Sequence, residues 1–194
     1  MQWNLENGSP ISLKYGNKEM LANTIPGISQ FATQAFRAPV DNDRGFGNWL
    51  AKDWEKHGMI SPKITTESVN WSINSDGFIQ INTKQRNTYA EGSIISKITF
   101  TIFKNGTIDV KTAVNFEGEL PELPRLGLRL ILNPGLENFT WYGHGPHENY
   151  IDRKSSTTIG LWKSKVKNQL VNYPFPQESG NKEDIQALQL TDSK

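Results

Sequence analysis

Two runs of acidic residues carry the side chains whose types and spacing could do chemistry. Asp41 and Asp43 lie between Arg37 and Arg44, and cleavage of a glycosidic bond needs two carboxyl groups that face each other across that bond. Cations on both sides keep both carboxyls ionised, so neither is suited to act as a general acid. We therefore interpret this run as an Asp–Arg network that braces loops through bidentate hydrogen bonds.

The second run places His144 and His147 beside Glu148 and Asp152. Imidazole and carboxylate together suit zinc or a similar ion, but a spacing of three residues is weak evidence for such a site. The Gly143–Pro146 stretch is typical of a tight, irregular loop. We therefore interpret the two histidines as loop residues and expect no metal site.

These runs must be held by strands, because apolar residues alternate with polar ones along most of the chain. A period of two, interrupted by turn residues, is typical of antiparallel sheets that pack face to face. The pattern predicts an all-β fold, an antiparallel β-sandwich with one short helix. The alternating positions include Ile11, Leu13 and Tyr15; Val69, Trp71 and Ile73; Ile94, Ile98, Phe100 and Ile102; and Leu126, Leu128, Leu130 and Leu132.

Two hairpins can be assigned a register from the sequence, because residues opposite each other must share a face. Three-residue loops at 104–106 and 75–77 keep one face apolar, whereas two-residue loops do not. We expect a type I turn in each, with the third loop residue, Gly106 or Gly77, in the left-handed region and forming a bulge. The expected pairs are Ile102 with Ile108, Phe100 with Val110, Ile73 with Ile79, and Trp71 with Ile81.

One helix is expected near residues 49–57, with Asn48 as a candidate cap and Gly58 at its end. Trp49 and Trp54 share one face of this helix, and we interpret them as sealing one end of the sandwich. The Pro-rich, acidic stretch Glu117–Pro124 is expected to be an exposed connection into the next strand.

Composition excludes several classes of partner and site. The 194 residues carry 21 Lys and Arg against 20 Asp and Glu, so no broad basic field attracts nucleic acid or anionic lipid. There are no cysteines, which excludes disulfides and thiolate metal sites. No apolar stretch approaches the roughly 20 residues that span a bilayer. We expect a soluble chain, no nucleic-acid or membrane partner, and a parent protein that is cytoplasmic or periplasmic.

Four runs together resemble the domain next to the carboxyl end of family-two β-galactosidases, which are glycoside hydrolases. They are Arg37–Gly45, Trp141–Lys154, Tyr173–Asn181 and Leu188–Asp192. The resemblance extends from about Leu13 onward. It implies a galactose mutarotase-like supersandwich, and we expect residues 1–194 to form one β-sandwich domain that is an incomplete fragment of a larger, multidomain enzyme.

In the family that this chain resembles, the catalytic glutamates and the magnesium ligands belong to a separate barrel domain, and this sequence contains nothing like that barrel. The resemblance therefore implies an accessory chain with no cofactor and no catalytic residue of its own, inactive alone. Its partners would be the other domains of the same polypeptide and β-galactoside sugars. The expected cleft-lining or interdomain residues are Arg37, Asp41, Asn42, Asp43, His144, Glu148, Asn149, Tyr150, Asp152, Arg153, Glu178 and Asn181.

Two alternatives stay open at the level of sequence. One is an autonomous carbohydrate-binding module that holds a glycan on exposed aromatic rings. The other is a mutarotase-like enzyme, in which His144 or His147 would exchange a proton with Glu148 or Glu178. The aromatic residues available for stacking on a sugar are Trp49, Trp141, Tyr142 and Trp162.

Overall fold

A computed structural model describes residues 1–22, 31–45, 47 and 49–192, and its elements are almost all β-strands. One α-helix, α1, spans Leu50–Lys56, and three short 3₁₀ helices span Asp41–Arg44, Lys154–Ser156 and Val166–Gln169. The strands are β1 Gln2–Asn4, β2 Ser9–Ser12, β3 Lys14–Tyr15, β4 Lys18–Glu19, β5 Phe31–Gln34, β6 Lys63–Ile73, β7 Ile79–Thr88, β8 Gly92–Ile102, β9 Ile108–Gly118, β10 Gly127–Leu130, β11 Asn138–Gly145, β12 Thr158–Lys165 and β13 Ala187–Thr191.

Every pair of neighbouring strands is antiparallel, so the expected all-β class is confirmed. The residues group into two compact units, one made of 1–37 with 43–132 and the other of 38–42 with 133–194. That the chain is one domain stays a prediction. None of the helices in the described ranges is long and apolar enough to cross a membrane.

The first unit is built on a four-stranded sheet in the order β6–β7–β8–β9. Its two hairpins have the expected register, with Ile102 opposite Ile108 and Ile73 opposite Ile79. Gly106 and Gly77 both have positive φ angles, +87° and +78°, as the three-residue loops require. The turn chemistry of these two loops therefore sets which residues face the core.

A second layer of short strands covers part of this sheet. The ring of Phe31 on β5 meets the ring of Phe100 edge-on, with centroids 5.0 Å apart. The hydroxyl of Thr33 donates to that of Ser96 at 2.8 Å, and the Asn87 side-chain amide donates to the Thr33 carbonyl at 3.2 Å. Apolar burial and satisfied polar groups therefore both hold the two layers together.

Helix α1 covers a separate part of the core through one of its tryptophans. Trp54 is buried and donates from its indole N–H to the Glu122 carbonyl at 2.8 Å. Trp49 instead precedes the helix and is 50% exposed, so the expectation that both rings seal the core is wrong for Trp49. Gly58 has a positive φ of +68° and ends the helix as expected. Asn48, the expected cap, lies outside the described residues.

The stretch Glu117–Pro124 is not a simple exposed connection. Strand β9 continues to Gly118, and Leu120 and Leu123 pack against the core cluster that contains Trp54. The two leucines alternate with Pro and Glu, which made the stretch look solvent-exposed. Apolar burial decides its position instead.

The second unit contains a three-stranded sheet in the order β12–β11–β13. Gly143 and Gly145 belong to strand β11, so our expectation of an irregular loop at these residues is wrong. Their glycine character has a packing cause, because a Cβ atom on Gly145 would lie 2.6 Å from the Trp162 ring. That indole also donates to the Gly143 carbonyl at 3.1 Å. Gly145 therefore makes room for Trp162, whereas a Cβ atom on Gly143 would collide with the Asp184 carbonyl and with Ile185.

We expect the Gly106→Ala variant to be less stable by about 1–2 kcal/mol, because a side chain with Cβ is strained at positive φ. Equilibrium urea unfolding measures this loss. Gly127→Ala is the matched control, since both sites have open space around the missing Cβ but only Gly106 has a positive φ. Equal stability of the two variants would contradict the proposed turn.

Candidate functional site

Arg37 and Asp43 form the Asp–Arg brace that the first acidic run predicted. The two guanidinium nitrogens of Arg37 donate to the two carboxylate oxygens of Asp43, at 2.6 and 3.2 Å. Asp43 is buried, and the guanidinium carbon of Arg37 lies 5.4 Å from the centre of the Trp54 ring. The planar guanidinium matches both carboxylate oxygens and therefore fixes the orientation of the loop.

Asp41 and Asn42 do not share this environment. Both are exposed and belong to the 3₁₀ helix Asp41–Arg44. The backbone N–H of Asp41 donates to the Gln177 side chain at 3.3 Å, and the Gln177 amide donates to the Asp41 carboxylate at 3.5 Å. The two acids of the run are therefore in different settings, Asp43 buried in an ion pair and Asp41 at the surface.

The second acidic run converges on Glu148, a buried carboxylate with three hydrogen-bond donors. Arg153 and the Tyr173 hydroxyl donate to one of its oxygens, and the backbone N–H of Gly180 donates to the other at 2.6 Å. Burial alone would raise the pKa of Glu148. The hydrogen bonds from Gly180, Tyr173 and Arg153 outweigh burial and hold its pKa below the ordinary value. Glu148 is therefore a charged anchor for three chain segments.

Local backbone geometry positions these donors. Gly180 has a φ of +79°, and a Cβ atom there would collide with the Gln169 carbonyl, so only glycine brings its N–H to Glu148. Arg153 directly precedes the 3₁₀ helix Lys154–Ser156 and closes a turn by donating its N–H to the Tyr150 carbonyl at 3.0 Å. The guanidinium also lies over the Tyr150 ring, at 5.0 Å.

Asn149 joins the same segments through its backbone and its side chain. It is fully buried, and its N–H donates to the Asn181 carbonyl at 2.9 Å while its own carbonyl accepts from the Asn181 side chain at 2.8 Å. The Asn149 side-chain oxygen accepts from the Glu183 N–H at 2.8 Å. An asparagine is needed here, because its side-chain oxygen accepts from a backbone N–H that has no strand partner.

Tyr150 and Lys182 are the incompletely satisfied members of the region. The Tyr150 hydroxyl is buried and has no hydrogen-bond partner among the described residues, and burial raises the pKa of its phenol. The ammonium of Lys182 lies 4.9 Å from the centre of the Trp141 ring, and burial lowers its pKa. These are the two groups around Glu148 that have capacity for a further polar contact.

His144 is held on strand β11 by a chain of hydrogen bonds. The Thr157 hydroxyl donates to the Lys154 carbonyl at 2.7 Å, so it accepts from the Nδ1–H of His144 at 2.9 Å. The other ring nitrogen faces Asp184 at 3.5 Å. A hydrogen bond from the Lys154 ammonium, 2.5 Å away, lowers the pKa of Asp184. His144 thus lies beside the Lys154–Asp184 ion pair.

His147 is likewise engaged by backbone groups. Its two ring nitrogens lie 2.7 Å from the Glu148 carbonyl and 3.2 Å from the Ser156 carbonyl. A mutarotase-like proton exchange with Glu148 would require a histidine in contact with its carboxylate. Neither histidine makes that contact. Within residues 1–22, 31–45 and 49–192 there is no group of three or more His, Asp or Glu side chains placed to hold a metal ion.

The structure does not gather all the expected site residues in one place. Asp152 is exposed, and Glu178 is half-buried and acts on Tyr150 through its charge rather than through a hydrogen bond. Sequence reasoning missed Tyr173, Gly180 and Lys182 as partners of this cluster. The signal for the first two was available, because both belong to the Tyr173–Asn181 run.

The aromatic residues proposed for sugar stacking divide into two groups. Trp141 is 1% exposed, stacks on Phe139 with centroids 4.7 Å apart and donates to the His144 carbonyl at 2.9 Å. Trp162 is half-buried beside the β11 glycines. The expectation that the ring is available to a sugar is therefore wrong for Trp141, which belongs to the core, and stays a prediction for the partly exposed Trp162. Trp49 and Tyr142 are exposed.

We expect Glu148→Gln to lower the free energy of unfolding by roughly 2 kcal/mol near neutral pH, because charge-assisted hydrogen bonds to a buried carboxylate are lost. The folded-state pKa of Glu148 is lowered, so its contribution is complete above about 4.5, its ordinary value, and disappears as pH falls below it. The stability difference from the wild type should therefore shrink as the pH falls below about 4.5 and vanish once the pH is below the lowered folded-state pKa. Urea unfolding at several pH values measures it.

Glu137→Gln is the control for this series, because Glu137 is an exposed glutamate of the same unit. It should leave stability within about 0.5 kcal/mol of the wild type at every pH. A Glu148→Gln variant that is as stable as the wild type at neutral pH would show that the anchor contributes nothing.

Comparison with known proteins identifies the family of this chain. A family model described as "Beta galactosidase small chain" matches residues 1–194. A β-galactosidase of Priestia megaterium is 31% identical, over 96% of this chain and 17% of that protein. A β-galactosidase of Kluyveromyces lactis is 32% identical over 92% and 17%, and one of Halalkalibacterium halodurans is 29% identical over 96% and 18%. The chain therefore spans less than a fifth of the length of these relatives.

The match covers the β-sheets, the Arg37–Asp43 brace and the Glu148 cluster alike, since it extends over the whole chain. This chain belongs to the β-galactosidase small chain family.

Proposed function

We propose that this chain is an accessory part of a β-galactosidase-like glycoside hydrolase, which helps to form the wall of the active-site cleft and to bind carbohydrate without cleaving it. The observation that supports the proposal is that the two buried acids already have hydrogen-bond donors on both carboxylate oxygens. Glu148 accepts from Arg153, Tyr173 and Gly180, and Asp43 accepts from both arms of Arg37.

A general acid must hold a proton near neutral pH and release it to the leaving group. Each hydrogen bond to the carboxylate of Glu148 stabilises its charged form, which is the opposite requirement. A nucleophilic carboxylate also needs a free oxygen towards the substrate, and both oxygens of Glu148 already have donors. These contacts support a structural role for the acid, with the bond-breaking groups supplied by another part of the polypeptide.

The length of the relatives also supports the view that the bond-breaking groups belong to another part of the polypeptide. Proteins named β-galactosidases carry this region as 17–18% of their length. The neighbours of this chain would then be other parts of the same polypeptide, and any β-galactoside would be bound jointly with them. Within the chain, the anchored residues would hold exposed polar groups such as Asp41, Asn42 and Asp152 in place for those neighbours.

An autonomous carbohydrate-binding module is the second candidate, because two of the four aromatic rings proposed for sugar stacking are exposed. Trp49 is 50% and Tyr142 42% exposed. Sugar-binding sites are concave and combine an aromatic face with several converging polar groups. Measured affinity of the isolated chain separates this candidate from the accessory role.

We expect the purified 194-residue chain to release no aryl alcohol from an aryl β-galactoside, whereas the longer polypeptide that contains it does. The physical reason is that the buried acids, Glu148 and Asp43, already accept hydrogen bonds on both carboxylate oxygens, so neither is free to act as acid or nucleophile. Chain carrying Glu148→Gln is the matched control for trace contamination, since a contaminating enzyme gives the same rate in both preparations. Turnover by the wild-type chain that persists through repurification and is lost in Glu148→Gln would overturn the accessory role.

Titration of the same chain with galactose and lactose, followed by tryptophan fluorescence, should show little or no saturable binding, since only part of a site would be present. Saturable binding that is lost in Trp49→Ala or Tyr142→Ala would favour the binding module instead. Both variants change exposed side chains, so we expect them to remain folded.

A further inference from the structure

Strand β6 lies at one edge of the four-stranded sheet and is eleven residues long. It pairs with β7 on one side, and no other described strand pairs with it. An edge strand of this length presents a row of backbone N–H and C=O groups that a further strand can pair with. The side chains of β6 therefore decide whether such pairing is favoured or prevented.

The face of β6 that points to the core is apolar up to the edge. Cross-strand register places Trp71 opposite Ile81, and Ile81 opposite Phe100. Ile81 and Phe100 are 4% and 2% exposed, whereas Trp71 is 57% exposed. Ile73, two residues along β6, is 61% exposed. The apolar face of the sheet therefore continues from buried residues of β7 and β8 to exposed residues of β6 without a polar rim. Obligate protein interfaces have the same character.

The two halves of β6 differ in the devices that discourage pairing. The first half has a bulge at Glu67, and this charged side chain pairs with Lys84 and Arg86, both at 2.5 Å. Bulges and charges are the usual protection of an edge. The second half, Ser68–Ile73, contains no charge, no proline and no bulge. The unprotected half is also the half that exposes Trp71 and Ile73.

We propose that Ser68–Ile73 receives a further strand from the same, longer polypeptide, which extends the sheet and covers Trp71 and Ile73. A strand meets both requirements at once, because its backbone pairs with the open edge and alternate side chains cover the apolar face. The relatives are more than five times as long as this chain, so a tethered segment is at hand at millimolar effective concentration, far above that of a second copy. The inference rests on the proposed function, in that the chain works inside a longer protein.

Hydrogen exchange read by mass spectrometry tests the pairing. Backbone amides of residues 68–73 should exchange at least about tenfold more slowly in the longer polypeptide than in the 194-residue chain, because new hydrogen bonds protect them. Trp71→Lys should remove that protection in the longer polypeptide. Ser72→Gln is the control, since it changes the neighbouring residue, on the opposite face of β6, without adding a charge to the edge, and should keep the protection.

Three results would overturn the inference. Residues 68–73 could exchange equally fast in both proteins, they could stay protected in the longer polypeptide with Trp71→Lys, or the isolated chain could form a dimer that Trp71→Lys dissolves, which would make a second copy the occupant. Should Trp71→Lys fail to fold, the comparison of the two wild-type proteins still decides. A longer polypeptide that hydrolyses β-galactosides but leaves residues 68–73 unprotected would refute this inference and leave the proposed function standing.

Discussion

A buried negative charge must be compensated by hydrogen-bond donors, and the second unit of this protein is arranged around that requirement at Glu148. Its donors come from three separate stretches of chain, at Arg153, Tyr173 and Gly180. Desolvation opposes the charge while the three donors favour it, and the lowered pKa shows that the donors win. The loops that follow β11 and β12 thereby gain defined positions that their own sequences, poor in regular structure, do not specify.

The same principle works on a smaller scale elsewhere in the chain. Both terminal nitrogens of the Arg37 guanidinium donate to the Asp43 carboxylate. Glu19 accepts from the Ser12 hydroxyl and from the backbone N–H groups of Leu13, Met20 and Leu21, and the Ser12 contact, with these amides, lowers its pKa to about 2. In these three places a carboxylate fixes irregular backbone, so an acidic run in this sequence does not by itself imply acid–base catalysis.

Some features of the fold could be predicted from the sequence and others could not. Individual residues show the physical reason. The hairpin registers were predictable, because a Gly at the third loop position and an apolar face on both strands depend only on local chain geometry. Gly143 and Gly145 were misinterpreted as loop residues, because the groups that they accommodate lie further along the chain. Gly143 makes room for Asp184 and Ile185, and Gly145 for Trp162 on a neighbouring strand. Trp141 was expected to be accessible and is buried for the same kind of reason, since its partner Phe139 and the cation of Lys182 enclose it.

The sequence by itself determined the antiparallel β class, the two hairpin registers, the end of the helix at Gly58 and an Asp–Arg brace within the Arg37–Arg44 run, because each follows from alternation, turn chemistry or charge within a few residues. The structure decided that Arg37 and Asp43 are the pair that forms the brace. Only the tertiary structure decided that Tyr173 and Gly180 converge on Glu148, that Trp141 and Trp162 are packing residues, and that Trp71 and Ile73 stand uncovered at the edge of β6. Those features depend on contacts between residues far apart in the chain, and such contacts are selected by the summed burial and hydrogen bonding of the whole fold rather than by any local preference.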